Sequence, residues 1–157
     1  MKENKHDETP FFNNYRRLLR SQKGLEGAGE WHLLKQMTPL FKAKRVLDLG
    51  CGFGWYCAYV VKESAATVIG IDICKKMLQE TNKHHGNVNS TYRCLAVEAL
   101  DYDDNTFDIV ISSRTFHYNA SFERICKRVK NSLTVQGTLL FSVEYPVFTA
   151  EGNGEWH

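Results

Sequence analysis

An α/β fold with an open, mostly parallel twisted sheet is what this sequence predicts, on three observations. Short apolar runs of strand length recur five times along the 157 residues, helical or helix-like segments separate them, and the first run stops at a cluster of glycines. Such alternation favours parallel pairing through right-handed crossovers, which places helices on both faces of the sheet.

The elements follow in order. Residues 1–10 are polar. Residues 11–21 place Phe11, Tyr15, Leu18 and Leu19 near one helical face and Arg16, Arg17 and Arg20 largely on another. After the glycine-rich break 24–30, a short helix over 30–40 carries Trp31, Leu33, Leu34 and Met37, and Pro39 ends or kinks it. Residues 45–50 (RVLDLG) read as a buried strand and 54–64 as a helix. Residues 67–72 (TVIGID) form strand two, and 75–85 the next helix, closed by Gly86. Strand three covers 90–97 and strand four 107–113 (FDIVISS). Residues 121–133 are amphipathic, with Phe122, Ile125, Cys126, Val129 and Leu133 three or four apart. Gly137 then opens strand five, 138–144. Residues 1–41 thus precede a sheet domain that occupies 42–157.

Composition narrows the function classes. Hydrophobic residues are 43% and charged residues 24% of the chain, enough for a core. Lys and Arg number 20 against 18 Asp and Glu, so a net charge of +2 exerts no long-range pull on nucleic acid or anionic membrane. No apolar run approaches the length of a membrane span, and the first ten residues lack the apolar stretch of a signal peptide. The five cysteines, at 51, 57, 74, 94 and 126, include no CxxC pair and no metal-ligand spacing. Reduced thiols in a cytoplasmic protein, with no metal, are the expectation.

In open α/β sheets ligands bind beyond the carboxyl ends of the strands. Strand one ends in DLGCGFG: Asp48, Gly50, Cys51, Gly52 and Gly54. Glycines on alternate residues let the chain turn sharply and let a ligand lie against it, while the following helix aims its free N–H groups at the same place. The spacing is GxGxG, and Trp55 stands where a dinucleotide fingerprint needs its last glycine. Asp48 also suits an ammonium and a carboxylate better than a pyrophosphate. Asp72, ending strand two, suits a ribose; a helix N-cap for the segment at Lys75 is the alternative for that residue taken alone.

DLGCGFG followed by GID resembles the cofactor site of the class I S-adenosylmethionine-dependent methyltransferases, over Arg45 to about Val147. FDIVISS with TFHY, and the strand after Gly137, agree with it. The segments GLEGAGEW, AVEALDYD and FSVEYPVFTA resemble a bacterial branch close to the methyltransferase type 11 group. The resemblance implies a Rossmann-like sheet of order 3-2-1-4-5, S-adenosylmethionine as cofactor, S-adenosylhomocysteine as product, and an N-terminal lid over residues 1–41. By position, Gly50, Gly52 and Gly54, with Cys51 between them, would cradle the methionine end. Asp48 would orient the loop and the ammonium group, and Asp72, with Ile73 beside it, would hold the ribose. Relatives often place an acid after strand three for adenine; here Ala96 stands there, which shifts the role to Val97 and Glu98. Ser112 and Ser113 would flank the sulfonium through their carbonyls, and Tyr15, Arg20 and Trp31 would form the lid, with Arg20 on the cofactor carboxylate. For the lid residues an ordinary amphipathic helix with a solvated basic face stays open.

Methyl transfer from a sulfonium is an in-line displacement in which the protein chiefly aligns the acceptor and excludes water. A base is needed only where the acceptor must lose a proton. His117, four residues past Ser113, is the candidate base, with a packed histidine as the alternative reading; Glu144 and Tyr145 could line the acceptor pocket. No (N/D/S)PP(Y/F/W) segment follows strand four, which reads SSRTF, and no Pro-Cys pair occurs, so a small-molecule acceptor (O, N or S) and no nucleic acid is expected. A binding module without turnover and an NAD-dependent oxidoreductase are the competing readings. The family fold has seven strands and five are found here. Residues 147–157 are too short and glycine-rich for the other two, so the chain reads as truncated at its C-terminus, with a homodimer through the exposed edge of strand five as one remedy.

Overall fold

The structure is a computed structural model that describes residues 7–144. Tyr145 and the segment 147–157 therefore lie outside the described residues. Five strands, β1 (Arg45–Leu49), β2 (Thr67–Asp72), β3 (Ser90–Cys94), β4 (Phe107–Ser113) and β5 (Leu133–Ser142), form one sheet of order β3-β2-β1-β4-β5. Every pairing is parallel, with Leu47 opposite Ile69 on one side and Val110 on the other. This is the predicted order.

Burial on both faces explains the apolar runs. Val46, Val68, Ile109 and Ile111 pack into one core layer with Cys57 and Val60 of α4 (Trp55–Lys62). Their alternates Leu47, Leu49, Ile71 and Val110 join a second layer with Ile125 and Val129 of α6 (Phe122–Ser132). The period of two along each strand thus supplies both layers. The helix α5 (Lys75–His85) lies on β2 and β3, its first turn capped by the Cys74 thiol, which accepts from Met77 N.

Four boundaries differ from the sequence reading. The predicted helix over 11–21 is two pieces, α1 (Thr9–Arg16) and α2 (Leu19–Gln22), because Leu18 is extended at φ −63°, ψ 145°. The next helix, α3 (Trp31–Met37), stops at Thr38, whose extended backbone is the conformation a following proline imposes. β3 ends at Cys94, short of residue 97, and a single 3-10 turn, Val97–Ala99, follows. β5 begins directly at the end of α6, before Gly137; a register irregularity opposite Phe107–Ile109 absorbs the glycine.

The N-terminal segment is strapped across the carboxyl end of the sheet. At one end the Asp7 carboxylate accepts from the Cys74 thiol at 3.1 Å and from Lys76 N at 3.2 Å, at the start of α5. At the other, Arg20 Nη2 pairs with Glu30 at 3.4 Å. No helix among the described residues is long and apolar enough to cross a membrane.

Candidate functional site

The carboxyl ends of β1, β2 and β4 open onto a cavity beneath this strap. The loop Gly50–Gly54 forms its floor, with all three glycines left-handed at φ 75°, 51° and 74°. They differ in what a side chain would meet. A Cβ on Gly50 would collide with the Thr115 side chain, and one on Gly54 with the Thr81 side chain. On Gly52 it would find only Met77 Sδ at 3.9 Å. Gly50 and Gly54 therefore serve packing, and Gly52 alone of the three leaves backbone open to a ligand.

Asp72 fixes this loop. Its Oδ2 accepts from Gly52 N at 2.9 Å and its Oδ1 from Cys74 N at 2.8 Å. Asp72 is therefore not the N-cap of α5, which is Cys74; it holds the backbone of that cap residue and stands on the cavity wall. The Gly52 carbonyl accepts from the Thr81 hydroxyl at 2.9 Å, so the peptide groups on both sides of Gly52 are held.

The wall brings together Tyr15, Arg20, Gly50, Gly52, Asp72, Ile73, Val97, Glu98 and Ser113 of the residues singled out from sequence. Cys51 lines an adjoining recess between the glycine loop, Tyr56 and the strap. Ser113 donates to Glu30 at 3.3 Å and receives Ser142 at 3.3 Å, so the end of β4 is tied to the strap and to β5. Tyr15 stacks on Phe53 at 6.2 Å between centroids, and burial raises its pKa, partly opposed by Arg20.

Six of the expected residues stand elsewhere; one of them, Glu144, pairs with Arg114. Asp48 is 1% exposed and accepts from the Cys57 thiol at 3.3 Å, because the strand period turns it toward α4. Burial pushes its carboxyl up to about 7, the Cys57 contact opposing. Gly54 packs on Thr81, and the fully buried Ser112 donates to Leu49 O at 3.1 Å. Trp31 is core: 4% exposed, edge-on to Tyr56 and Tyr59, with its indole N–H on Glu26 at 3.2 Å. His117 is not on the cavity wall. Its ring lies 4.0 Å from that of Tyr118, with Nε2 3.9 Å from Glu144, and burial followed by the charge of Arg114 lowers its pKa.

In their place the wall carries Leu18, Met77, Arg114, Thr115, Tyr118 and Asn119. Leu18 is there because the strap breaks at it. Arg114 is a non-glycine residue at φ 53°, and the single 3-10 turn Phe116–Tyr118 carries no sequence signature. Position just after strand four was the signal available for Arg114 and Thr115.

A parallel 3-2-1-4-5 sheet with a ligand-open glycine after β1 and an acid ending β2 defines a nucleoside-cofactor fold of the Rossmann-like class. Trp55 occupies the third-glycine position of a dinucleotide loop and packs against His85 at 4.7 Å, next to Gly24. The chain belongs to the methyltransferase domain family, whose model matches residues 47–141. It is 31% identical over 156 residues to an uncharacterized protein of Haemophilus influenzae, covering 96% of this chain and 61% of that one. It is 28% identical to a ubiquinone biosynthesis O-methyltransferase of Neisseria meningitidis, over 78% of this chain and 57% of the relative. Among solved structures it superposes on an S-adenosylmethionine-dependent methyltransferase of Mesorhizobium loti with a TM-score of 0.77 and 34% identity, over 80% of this chain and 57% of that one. A Listeria monocytogenes protein provisionally assigned the same activity gives a TM-score of 0.78 and 45% identity, over 83% and 61%. The chain thus spans about 60% of the length of these relatives.

Proposed function

We propose that this chain binds S-adenosylmethionine in the cavity under the strap and belongs to an enzyme that transfers its methyl group to a small-molecule acceptor. The observation that carries the reading is Gly52, whose missing Cβ leaves space on the wall while Asp72 holds its N–H at 2.9 Å. When bound, the cofactor supplies both the methyl group and its leaving group.

The residues fit such a ligand. Asp72, held by two backbone N–H groups, receives the ribose hydroxyls. Val97 and Glu98, beyond β3, stand where the base would lie, and Ile73 packs beside the nucleoside. Arg20 and the recess at Cys51 receive the amino-acid end, and Tyr15 closes over it. Names of relatives support a small-molecule acceptor: ubiquinone biosynthesis and malonyl-[acyl-carrier protein] O-methyltransferases recur among them, beside a tRNA U34 carboxymethyltransferase. A cytoplasmic location belongs to the same proposal.

Titration calorimetry with S-adenosylhomocysteine tests it. The wild-type chain should bind, and Asp72→Ala should weaken binding by about 1.5–3 kcal/mol, roughly tenfold or more. Tight binding of NAD without binding of S-adenosylhomocysteine would overturn the reading. Binding without methyl release to any of a panel of acceptors would favour a module that lacks turnover by itself.

A further inference from the structure

We infer that the acceptor is a carboxylic acid, recognised by Arg114 at the rim of β4. The inference rests on the cofactor reading above and concerns the same cavity. Its wall includes Leu18, Tyr118, Asn119 and Arg114. The carboxylates on that wall, Asp72 and Glu98, come from the end of β2 and from the turn beyond β3. A guanidinium beside aromatic and aliphatic groups favours an anionic group carried on an apolar body.

Arg114 is built into place. Its backbone is left-handed at φ 53°, an arrangement that costs a non-glycine residue energy and persists where surrounding structure enforces it. Here the Arg114 N–H donates to Ser142 O at 2.8 Å, which ties it to the end of β5. Its Nη2 pairs with Glu144, which is not on the cavity wall. One carboxylate oxygen behind the wall orients the fork, and a guanidinium has five N–H donors, so a second carboxylate can be received from the cavity side. Arg20, the other arginine on the wall, is the one assigned above to the amino-acid end of the cofactor.

The placement of His117 agrees. A hydroxyl acceptor needs a base at the reacting oxygen, and His117 stands behind the wall beside Glu144. A carboxylic acid is ionised at neutral pH and needs none. One carboxylate oxygen forms the new O–CH3 bond with its own lone pair, the electrons of the S–CH3 bond stay on sulfur, and no proton moves. The products are a methyl ester and a neutral thioether. The carboxylate and sulfonium charges are consumed together.

The test uses the chain saturated with S-adenosylhomocysteine and titrated with octanoate and trans-cinnamate, each against its primary amide. Each acid is expected to bind at least tenfold more tightly than its amide. Arg114→Gln should abolish that ratio with S-adenosylhomocysteine affinity within twofold of wild type, and Arg114→Lys should keep part of it. With S-adenosylmethionine, acids that bind should give methyl ester and S-adenosylhomocysteine in equal amounts. Equal binding of acid and amide, binding of neither, or a ratio that survives Arg114→Gln would overturn the inference. The wild-type ratio decides alone if Arg114→Gln does not fold. Failure of the wild-type chain to bind S-adenosylhomocysteine refutes the cofactor reading instead.

Discussion

Replacing Gly52 by alanine separates a ligand-binding glycine from a structural one. The backbone at Gly52 sits at φ 51°, so a Cβ there costs roughly 1–2 kcal/mol of conformational strain. Steric cost is small, since the nearest atom to that Cβ is Met77 Sδ at 3.9 Å. The fold should therefore survive, with a melting temperature lower by about 3–8 °C. A ligand packed on the Gly52 backbone must withdraw by about 1.5 Å, the length of the added bond, and gaps of even 0.5–1 Å forfeit a quarter to a half of each dispersion contact. Losing those contacts together with the alignment of the loop should cost about 2 kcal/mol or more, roughly thirtyfold in Kd. Gly54→Ala makes the contrast: its Cβ runs into Thr81, so it should unfold the chain more than it alters any specific contact. Circular dichroism melts and calorimetry with S-adenosylhomocysteine read both quantities. A folded Gly52→Ala chain that binds the ligand within twofold of wild type would refute the placement of the cofactor.

Other perturbations test the surroundings of the site. The buried Asp48 carboxyl has its pKa raised from 3.8 to about 7, so the folded chain holds a proton there that the unfolded chain releases near pH 4. Stability contributed by this group is full below pH 4 and falls as the pH rises toward 7; Asp48→Asn should flatten that dependence and stabilise the chain at pH 8 by up to about 4 kcal/mol, read by urea melts at pH 4.5 and 8. Ser112→Ala removes the hydrogen bond to Leu49 O, which should cost about 1 kcal/mol of stability and leave S-adenosylhomocysteine affinity unchanged by calorimetry. Asp7→Ala removes the anchor of the strap on α5, which should destabilise the segment by about 1 kcal/mol and speed its cleavage in limited proteolysis.

The sheet was legible because a parallel sheet covered on both faces needs near-continuous apolar strands, and β1, β2 and β4 are such runs. The glycine loop was legible because few residue types tolerate left-handed backbone, and Asp72 because it ends β2. Which member of a neighbouring pair faces the cavity was harder. Ser112 and Ser113 look alike in sequence, but the strand period buries the first beside Leu49 and presents the second. The same period turns Asp48 toward Cys57. Arg114 left no trace, since its left-handed backbone comes from the Ser142 carbonyl across the sheet and not from a local preference. The start of β5 was hidden by Gly137, which normally marks a turn and here sits inside the strand.

The direct passage from α6 into β5 makes that stretch a ruler. No residue separates Ser132 from Leu133, so there is no slack between the helix that packs on the sheet and the strand that joins it. Extra length must be taken up farther on, where Thr134–Gly137 bridge the register irregularity between the Leu133 and Thr138 pairings. An added residue there changes a bulge already present. One added within 138–142 would slide Ser142 away from the Arg114 N–H it accepts at 2.8 Å, and the rim of the cavity would move with it. Changes of length in this family member are thus silent or disruptive according to which side of Gly137 they fall.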